Sequence, residues 1–224
     1  MTTATMTKKA TRPVNILIVD DHPVVRLGIR QMLADDPALR VCGEADTMES
    51  ALHACRSLDV DLALVDLSLG SASGLELIKQ LHDEHPNLLI LVLSRHDESL
   101  FAQRALRAGA RGYLEKQEAI DGLIQAIRHV LTGKVYVSEG VAQQVLAGLR
   151  GTPPTPVDQL ATLTDREIQV LERVGRGSST AEIARDLGVS VKTIETYRSN
   201  IKAKLNLKSA LDLVRYATSW IERP

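Results

Sequence analysis

The sequence predicts an α/β fold, a doubly wound sheet of five parallel strands, followed by a separate all-α unit of four helices. Three observations predict it. Apolar runs alternate with helix-spaced segments from residue 14 to residue 132. The stretch "RGTPPTPVDQLATL" then interrupts every period and reads as a linker. Beyond it only helical spacing is found, with basic residues gathered near its end.

Each element follows from local chemistry. "VNILIV" (14–19) is an unbroken apolar strand, and "PVVRLGIRQMLAD" has helical spacing with Pro23 in a first turn. "LRVCGEA" is a second, more polar strand; "MESALHACRSL" is a helix. "DLALVD" is the third strand, and "GLELIKQLHDEH" is a helix ended by Pro86. "NLLILVLS" is the fourth strand, and "ESLFAQRALRAGA" is a helix stopped at Gly109. "RGYLEK" is a short fifth strand, and "AIDGLIQAIRHVLTG" is a helix closed by Gly133. Continuous apolar strands with helical crossovers require a parallel sheet covered on both faces. In the second unit Thr164/Glu167 and Ser179/Glu182 are spaced as capping boxes, and Ser190 is placed as an N-cap. Two short helices, a Gly188 turn and a basic helix form a helix-turn-helix pattern, closed by "SALDLVRYATSWIE". The expected limits are 14–132 for the α/β unit, 133–158 for a linker with room for some helix, and 159–224 for the helical unit.

Charge separates the two units. Residues 159–224 hold 11 Lys+Arg and 8 Asp+Glu, leaving 16 basic and 20 acidic residues of the chain's 27 and 28 for the rest. An acidic part joined to a basic part implies two tasks. Cys42 and Cys55 stand in no metal-ligand or disulfide pattern and read as reduced thiols. No apolar run reaches the length of a membrane span, and "MTTATMTKKATRP" lacks the apolar segment of a signal peptide. A cytoplasmic protein without a membrane partner is the expectation.

The strand ends carry the chemistry. Asp20 and Asp21 follow strand one, and Asp66 follows strand three, which should lie beside it. Asp66 alone could be a turn residue, and the Asp20–Asp21 pair could cap a helix. Three converging carboxylates would repel one another unless a hard cation joined them, and Mg²⁺ prefers such oxygen donors. Ser94 ends strand four with a hydroxyl, and Lys116 ends strand five with an ammonium. His22 reads as a structural residue at a helix start, and Tyr113 could be a half-buried strand residue.

"VDDHPVVRLGI", "DLALVDLSLG", "ILVLS" and "GYLEK" resemble the receiver domain of bacterial two-component response regulators, a flavodoxin-like fold. The resemblance implies that Asp66 is the phosphoacceptor for a sensor histidine kinase. It implies Mg²⁺ held by Asp20, Asp21, Asp66 and the backbone carbonyl of Ser68. Ser94 would bond the phosphoryl group, Lys116 would pair with its charge, and Tyr113 matches the switch position. The family usually has proline four residues after the acceptor; Gly70 stands there, predicting a looser loop.

"LTDREIQVL", "AEIARDLGVSVKTIETYRSNI" and "KLNLKS" resemble the LuxR-type helix-turn-helix of the NarL/FixJ regulators. On a helical wheel Ile194, Ile201 and Leu205 face inward, with Lys192, Glu195, Thr196, Ser199 and Ala203 opposite. Thr196, Ser199 and Glu195 are assigned to base edges; Lys192, Lys202 and Lys204 are assigned to phosphates. Thr193, Tyr197 and Asn200 complete the expected DNA surface, with Tyr197 where the family often has histidine, and Thr180 is a candidate phosphate contact. The function implied is a DNA-binding transcriptional response regulator, phosphorylated at Asp66 and dimerising on activation. It is not an enzyme beyond its own phosphorylation. One alternative is a constitutive DNA-binding protein whose receiver is only a dimerisation scaffold. A haloacid-dehalogenase-type phosphatase would want its second Asp two residues after the nucleophile, whereas Asp20 and Asp21 are adjacent.

Overall fold

In the computed structural model the described residues are 12–70, 72–95, 98–143, 160 and 162–221. The amino-terminal tail and most of the proline-rich linker lie outside them. The first unit runs β1 (Val14–Val19), α1 (Pro23–Ala34), β2 (Leu39–Ala45), α2 (Met48–Ser57), β3 (Leu62–Val65), β4 (Ser68–Leu69), β5 (Ala72–Ser73), α3 (Gly74–Glu84), β6 (Leu89–Ser94), α4 (Glu98–Ala108), β7 (Gly112–Glu115) and α5 (Ala119–Leu131). The five long strands form one sheet in the order β2-β1-β3-β6-β7, every pair parallel. This is the doubly wound architecture the sequence predicts, and β1 and β3 are neighbours in it.

Alternation across the sheet divides the core in two. Ile16, Ile18, Leu62, Leu64, Leu91 and Leu93 point to the layer covered by α1 and α5. Leu17, Val19, Ala63, Val65, Ile90 and Val92 point to the layer covered by α2, α3 and α4. Because successive residues serve opposite faces, the strands must be apolar throughout. Their carboxyl ends are then the first positions where a polar side chain is free of both layers.

Two features lie outside the expected pattern. The loop after Asp66 holds local structure. Ser68–Leu69 and Ala72–Ser73 pair as a small antiparallel hairpin. Gly70 turns it with φ 56°, and its N–H is donated to Asp21 Oδ2 at 3.0 Å. Proline has φ near −65° and no N–H, so it could supply neither feature. Gly70 therefore adds a bond that the usual family residue cannot make. The second feature is a strap after α5. Tyr113 donates its N–H to the Tyr136 carbonyl at 2.8 Å, and Tyr136 donates to the Arg111 carbonyl at 3.0 Å. Gly112 permits this approach, since a Cβ there would lie 2.9 Å from the Tyr136 oxygen. Ser138 N–H continues the strap to Glu98 Oε1, and residues 139–143 are helical.

The second unit holds α6 (Asp165–Gly175), α7 (Thr180–Asp186), α8 (Val191–Lys204) and α9 (Ala210–Ile221). Both capping boxes form with Thr164/Glu167 and Ser179/Glu182, and Ser190 Oγ accepts the Thr193 N–H. Ile168, Leu171, Ile183, Ile194, Ile201 and Leu213 make its core. Gly175 lets α6 cross α9 closely, because a Cβ there would meet the Ala217 carbonyl oxygen at 2.5 Å. The two units touch through Arg104 on α4, whose Nη2 donates to the carbonyls of Leu160 and Leu163 at 2.8 Å each. No helix among the described residues is long and apolar enough to cross a membrane.

Candidate functional site

The sheet ladder delivers the acids to one rim. Asp66 N–H bonds the Val19 carbonyl at 2.9 Å, so the ends of β1 and β3 stay in register up to the acidic residues. Lys116 N–H bonds the Ser94 carbonyl at 2.8 Å, which does the same for β6 and β7. The ligand atoms of Asp20, Asp21, His22 and Asp66 all lie within 4.8 Å of one another. Lys116 Nζ stands between two of them, 2.6 Å from Asp20 Oδ2 and 2.6 Å from Asp66 Oδ2. Asp20 and Asp66 are buried, at 2% and 4% exposure, so this ammonium is the compensation their charges require.

The remaining donors fix the pocket's shape. His22 N–H bonds Asp20 Oδ1 at 2.8 Å, a contact within the β1–α1 loop. As the N-cap of α1, His22 makes no side-chain cap bond. Neither aspartate of the pair stands at that N-cap. Arg26 Nη1 bonds the Asp20 carbonyl at 2.6 Å while its Nε bonds Glu44 Oε2 at 3.0 Å, which ties the loop to β2. Gly74 lies beneath Asp66; a Cβ there would sit 2.4 Å from the Asp66 carbonyl oxygen. The positioning roles of Arg26 and Gly74 were not readable beforehand. The glycine in "SGLELI", at the head of a helix, was the one available signal.

Two oxygens are left over. Asp21 Oδ1 and Asp66 Oδ1 are buried and accept no hydrogen bond. A buried carboxylate oxygen without a donor is costly unless a cation takes it. Burial pushes the Asp66 carboxyl above its ordinary value. The Lys116 charge and hydrogen bond and the Ser68 backbone bond pull it down, and Asp20 pushes it up again. The oxygen-rich donors and the two orphaned oxygens fit a hard divalent ion such as Mg²⁺. Ser68 lines the same cleft.

Ser94 is fully buried. The Tyr113 phenol is buried with it and hydrogen-bonded to it; burial pushes that phenol well above its usual range, and the Ser94 bond opposes the shift. The residues expected at the acceptor site are thus brought together. Asp66, Lys116 and Arg95 open onto a cleft of about 410 Å³ whose other wall includes Arg173 and Arg176 of α6.

The expected DNA surface is largely presented by α8. Lys192, Glu195, Thr196, Ser199 and Asn200 are exposed, opposite the buried Ile194 and Ile201. Lys202 is half-buried. Other residues are engaged elsewhere. Lys204 Nζ bonds Glu167 Oε2 at 2.6 Å, which makes it a strut between α8 and the α6 capping box. Thr193 Oγ1 lies 2.8 Å from Ser190 Oγ, and Thr180 Oγ1 accepts from Arg198 at 3.1 Å. Tyr197 packs its ring against the core of the unit.

Residues 16–128 match the response regulator receiver domain, and residues 161–217 match the bacterial regulatory proteins of the luxR family. The chain is 35% identical over 204 residues to response regulator UvrY of Escherichia coli strain K12, covering 91% of this chain and 93% of that one. It is 36% identical over 205 residues to response regulator GacA of Pseudomonas aeruginosa, covering 91% and 95%. Among solved structures it is similar to RcsB of Salmonella enterica serovar Typhimurium bound to promoter rprA in the presence of the phosphomimetic BeF3-, with TM-score 0.65, 27% identity and coverage of 92% and 99%. RcsB has also been solved as two dimers bound to two parallel DNAs, with TM-score 0.56, 27% identity and coverage of 93% and 99%.

Proposed function

Since this chain belongs to the response regulators that join a receiver domain to a LuxR-type DNA-binding domain, we propose that Asp66 is its phosphoacceptor and that α8 reads its operator. What carries the reading is the pair of buried carboxylates, Asp20 and Asp66, on one buried ammonium, with Asp66 Oδ1 left without a donor. A carboxylate oxygen of Asp66 attacks the phosphorus of a phosphohistidine on a sensor kinase. The O–P bond forms as the P–N bond breaks, and the leaving nitrogen keeps the electron pair and takes a proton from solvent. Asp20, Asp21, Asp66 and the Ser68 carbonyl would hold Mg²⁺, which when bound supplies positive charge to the phosphoryl oxygens.

The rest is work for the chain's own side chains. Lys116, already on Asp66, is placed to pair with the new dianion. Ser94 gives up Tyr113 to bond the phosphoryl group, which leaves a buried phenol in need of another partner. That need links the acceptor to the surface around α4, β7 and α5, where the strap is attached. A homodimer would place two copies of α8 on paired half-sites, as two-fold helix-turn-helix proteins do. Lys192 and Lys202 contact phosphates, and Thr196, Ser199 and Glu195 contact bases.

The test compares wild type with Asp66→Asn in Phos-tag electrophoresis after incubation with acetyl phosphate and Mg²⁺. A shifted band in wild type and none in the variant is expected. A band that persists in the variant removes Asp66 as acceptor. Phosphorylation that alters neither oligomeric state nor operator affinity would leave the receiver as a scaffold only.

A further inference from the structure

Resting on that reading of the acid pocket, we infer that His22 is a nitrogen ligand of the bound cation, so that this pocket takes Co²⁺ and Ni²⁺ through a contact it does not use for Mg²⁺. The argument is geometric. Adjacent ligands of an octahedral ion with bonds of about 2.0–2.1 Å lie about 3 Å apart, and opposite ligands about 4 Å apart. His22 Nδ1 is 3.2 Å from Asp20 Oδ1 and 2.6 Å from Asp21 Oδ1, which brackets the edge length. All four donor groups, with Asp66 included, fall within 4.8 Å of one another, under an ångström more than the span of one coordination shell.

The free valences point the same way. Asp21 Oδ2 is occupied by the Gly70 N–H, which leaves Oδ1 as its one available donor. That Oδ1 accepts no hydrogen bond, and His22 Nδ1 lies 2.6 Å from it. Asp66 is 4% exposed, and its Oδ1 is likewise unpartnered. The imidazole makes no cap bond at the helix start and is 51% exposed, and the partners of its Nδ1 are the same Asp20 and Asp21 carboxylates. Carboxylates alone suit Mg²⁺. An imidazole adds little for that ion and much for Co²⁺, Ni²⁺ and Zn²⁺. His22 is thus a residue that sets which divalent ion the acceptor pocket retains.

The experiment uses the full chain free of any affinity tag, at one fixed pH. Isothermal titration with MgCl₂, CoCl₂ and NiCl₂ is run on wild type, His22→Ala and Asp21→Asn. Pulsed electron paramagnetic resonance of bound Mn²⁺ records coupling to ¹⁴N. Loss of Co²⁺ and Ni²⁺ affinity by about tenfold or more in His22→Ala is expected, on the scale seen when a metal-site contact is removed. Mg²⁺ affinity should change less than about twofold, and the ¹⁴N coupling should vanish. Equal Co²⁺ affinity in wild type and His22→Ala, or persistent ¹⁴N coupling, overturns the inference while leaving the acid pocket intact. Divalent binding that Asp21→Asn leaves untouched overturns the pocket reading and the inference together. A melting temperature for His22→Ala equal to that of wild type shows that the comparison is between folded proteins.

Discussion

Replacing Lys116 by methionine tests the electrostatics of the acid pocket most directly. Methionine keeps the length of the side chain and removes its charge. The lysine is 9% exposed, and its Nζ is 2.6 Å from both Asp20 Oδ2 and Asp66 Oδ2, which are themselves almost fully buried. Removing one partner from a buried ion pair costs about 3–5 kcal/mol, because an uncompensated charge stays behind. Here one ammonium serves two carboxylates, and entry of water to the open cleft relieves part of the cost. The lower end, about 3 kcal/mol, is the expectation. For a domain of this size that lowers Tm by about 10 °C in buffer containing a chelator. Addition of Mg²⁺ should return most of the loss, since a divalent ion can replace the missing positive charge. The double variant Lys116→Met/Asp66→Asn should be more stable than the sum of the two single changes predicts, by about 1 kcal/mol or more. Differential scanning fluorimetry with and without Mg²⁺ measures all of this. Wild-type stability for Lys116→Met in chelator, or a loss indifferent to both Mg²⁺ and Asp66→Asn, would refute the reasoning.

Three further outcomes follow from named contacts. Gly70→Pro removes the N–H given to Asp21 and cannot adopt φ 56°, so it should cost about 1–3 kcal/mol and weaken Mg²⁺ binding; urea melts and titration with MgCl₂ check it. In the helical unit burial pushes the Glu167 carboxyl up, but the Lys204 and Thr164 bonds outweigh it and hold the group below its ordinary 4.5. Its stabilisation is therefore full above that value and is lost as the pH falls through the depressed one. Glu167→Gln should cost about 1 kcal/mol at neutral pH and progressively less in acid, read from melts across pH 3–7. Lys192→Ala should reduce the slope of log affinity against log salt by about 1, whereas Lys204→Ala should lower Tm and leave that slope unchanged; filter binding at graded salt separates them.

The legible part of this protein lay where a residue type conflicts with its neighbours. Asp20, Asp66, Ser94 and Lys116 are polar groups at the ends of apolar runs, and a doubly wound sheet collects such ends at one rim. The capping boxes of α6 and α7 were equally legible, because their chemistry is complete within four residues. Glycine's freedom at Gly70 predicts a loose loop, and the bond to Asp21 is invisible in the sequence because it depends on a partner 49 residues away. The phosphate role expected of Lys204 rests on its charge within the basic helix, and one helix carries no information about Glu167 on another. The strap at Val135–Val137 left no trace in the pattern, because a single bridge is too short to show a period. Nothing in the sequence singles out Arg104, since its carbonyl partners belong to the other unit.

The seating of Tyr136 on β7 reaches beyond local packing. An outer strand with vacant amides and carbonyls can zip onto the same strand of a twin, joining two sheets into one continuous sheet. Here β7, one of the two outer strands, already has its Tyr113 amide engaged by the chain's own continuation, which also takes the Arg111 carbonyl just before it. Two copies therefore cannot share main-chain rungs at that stretch of β7.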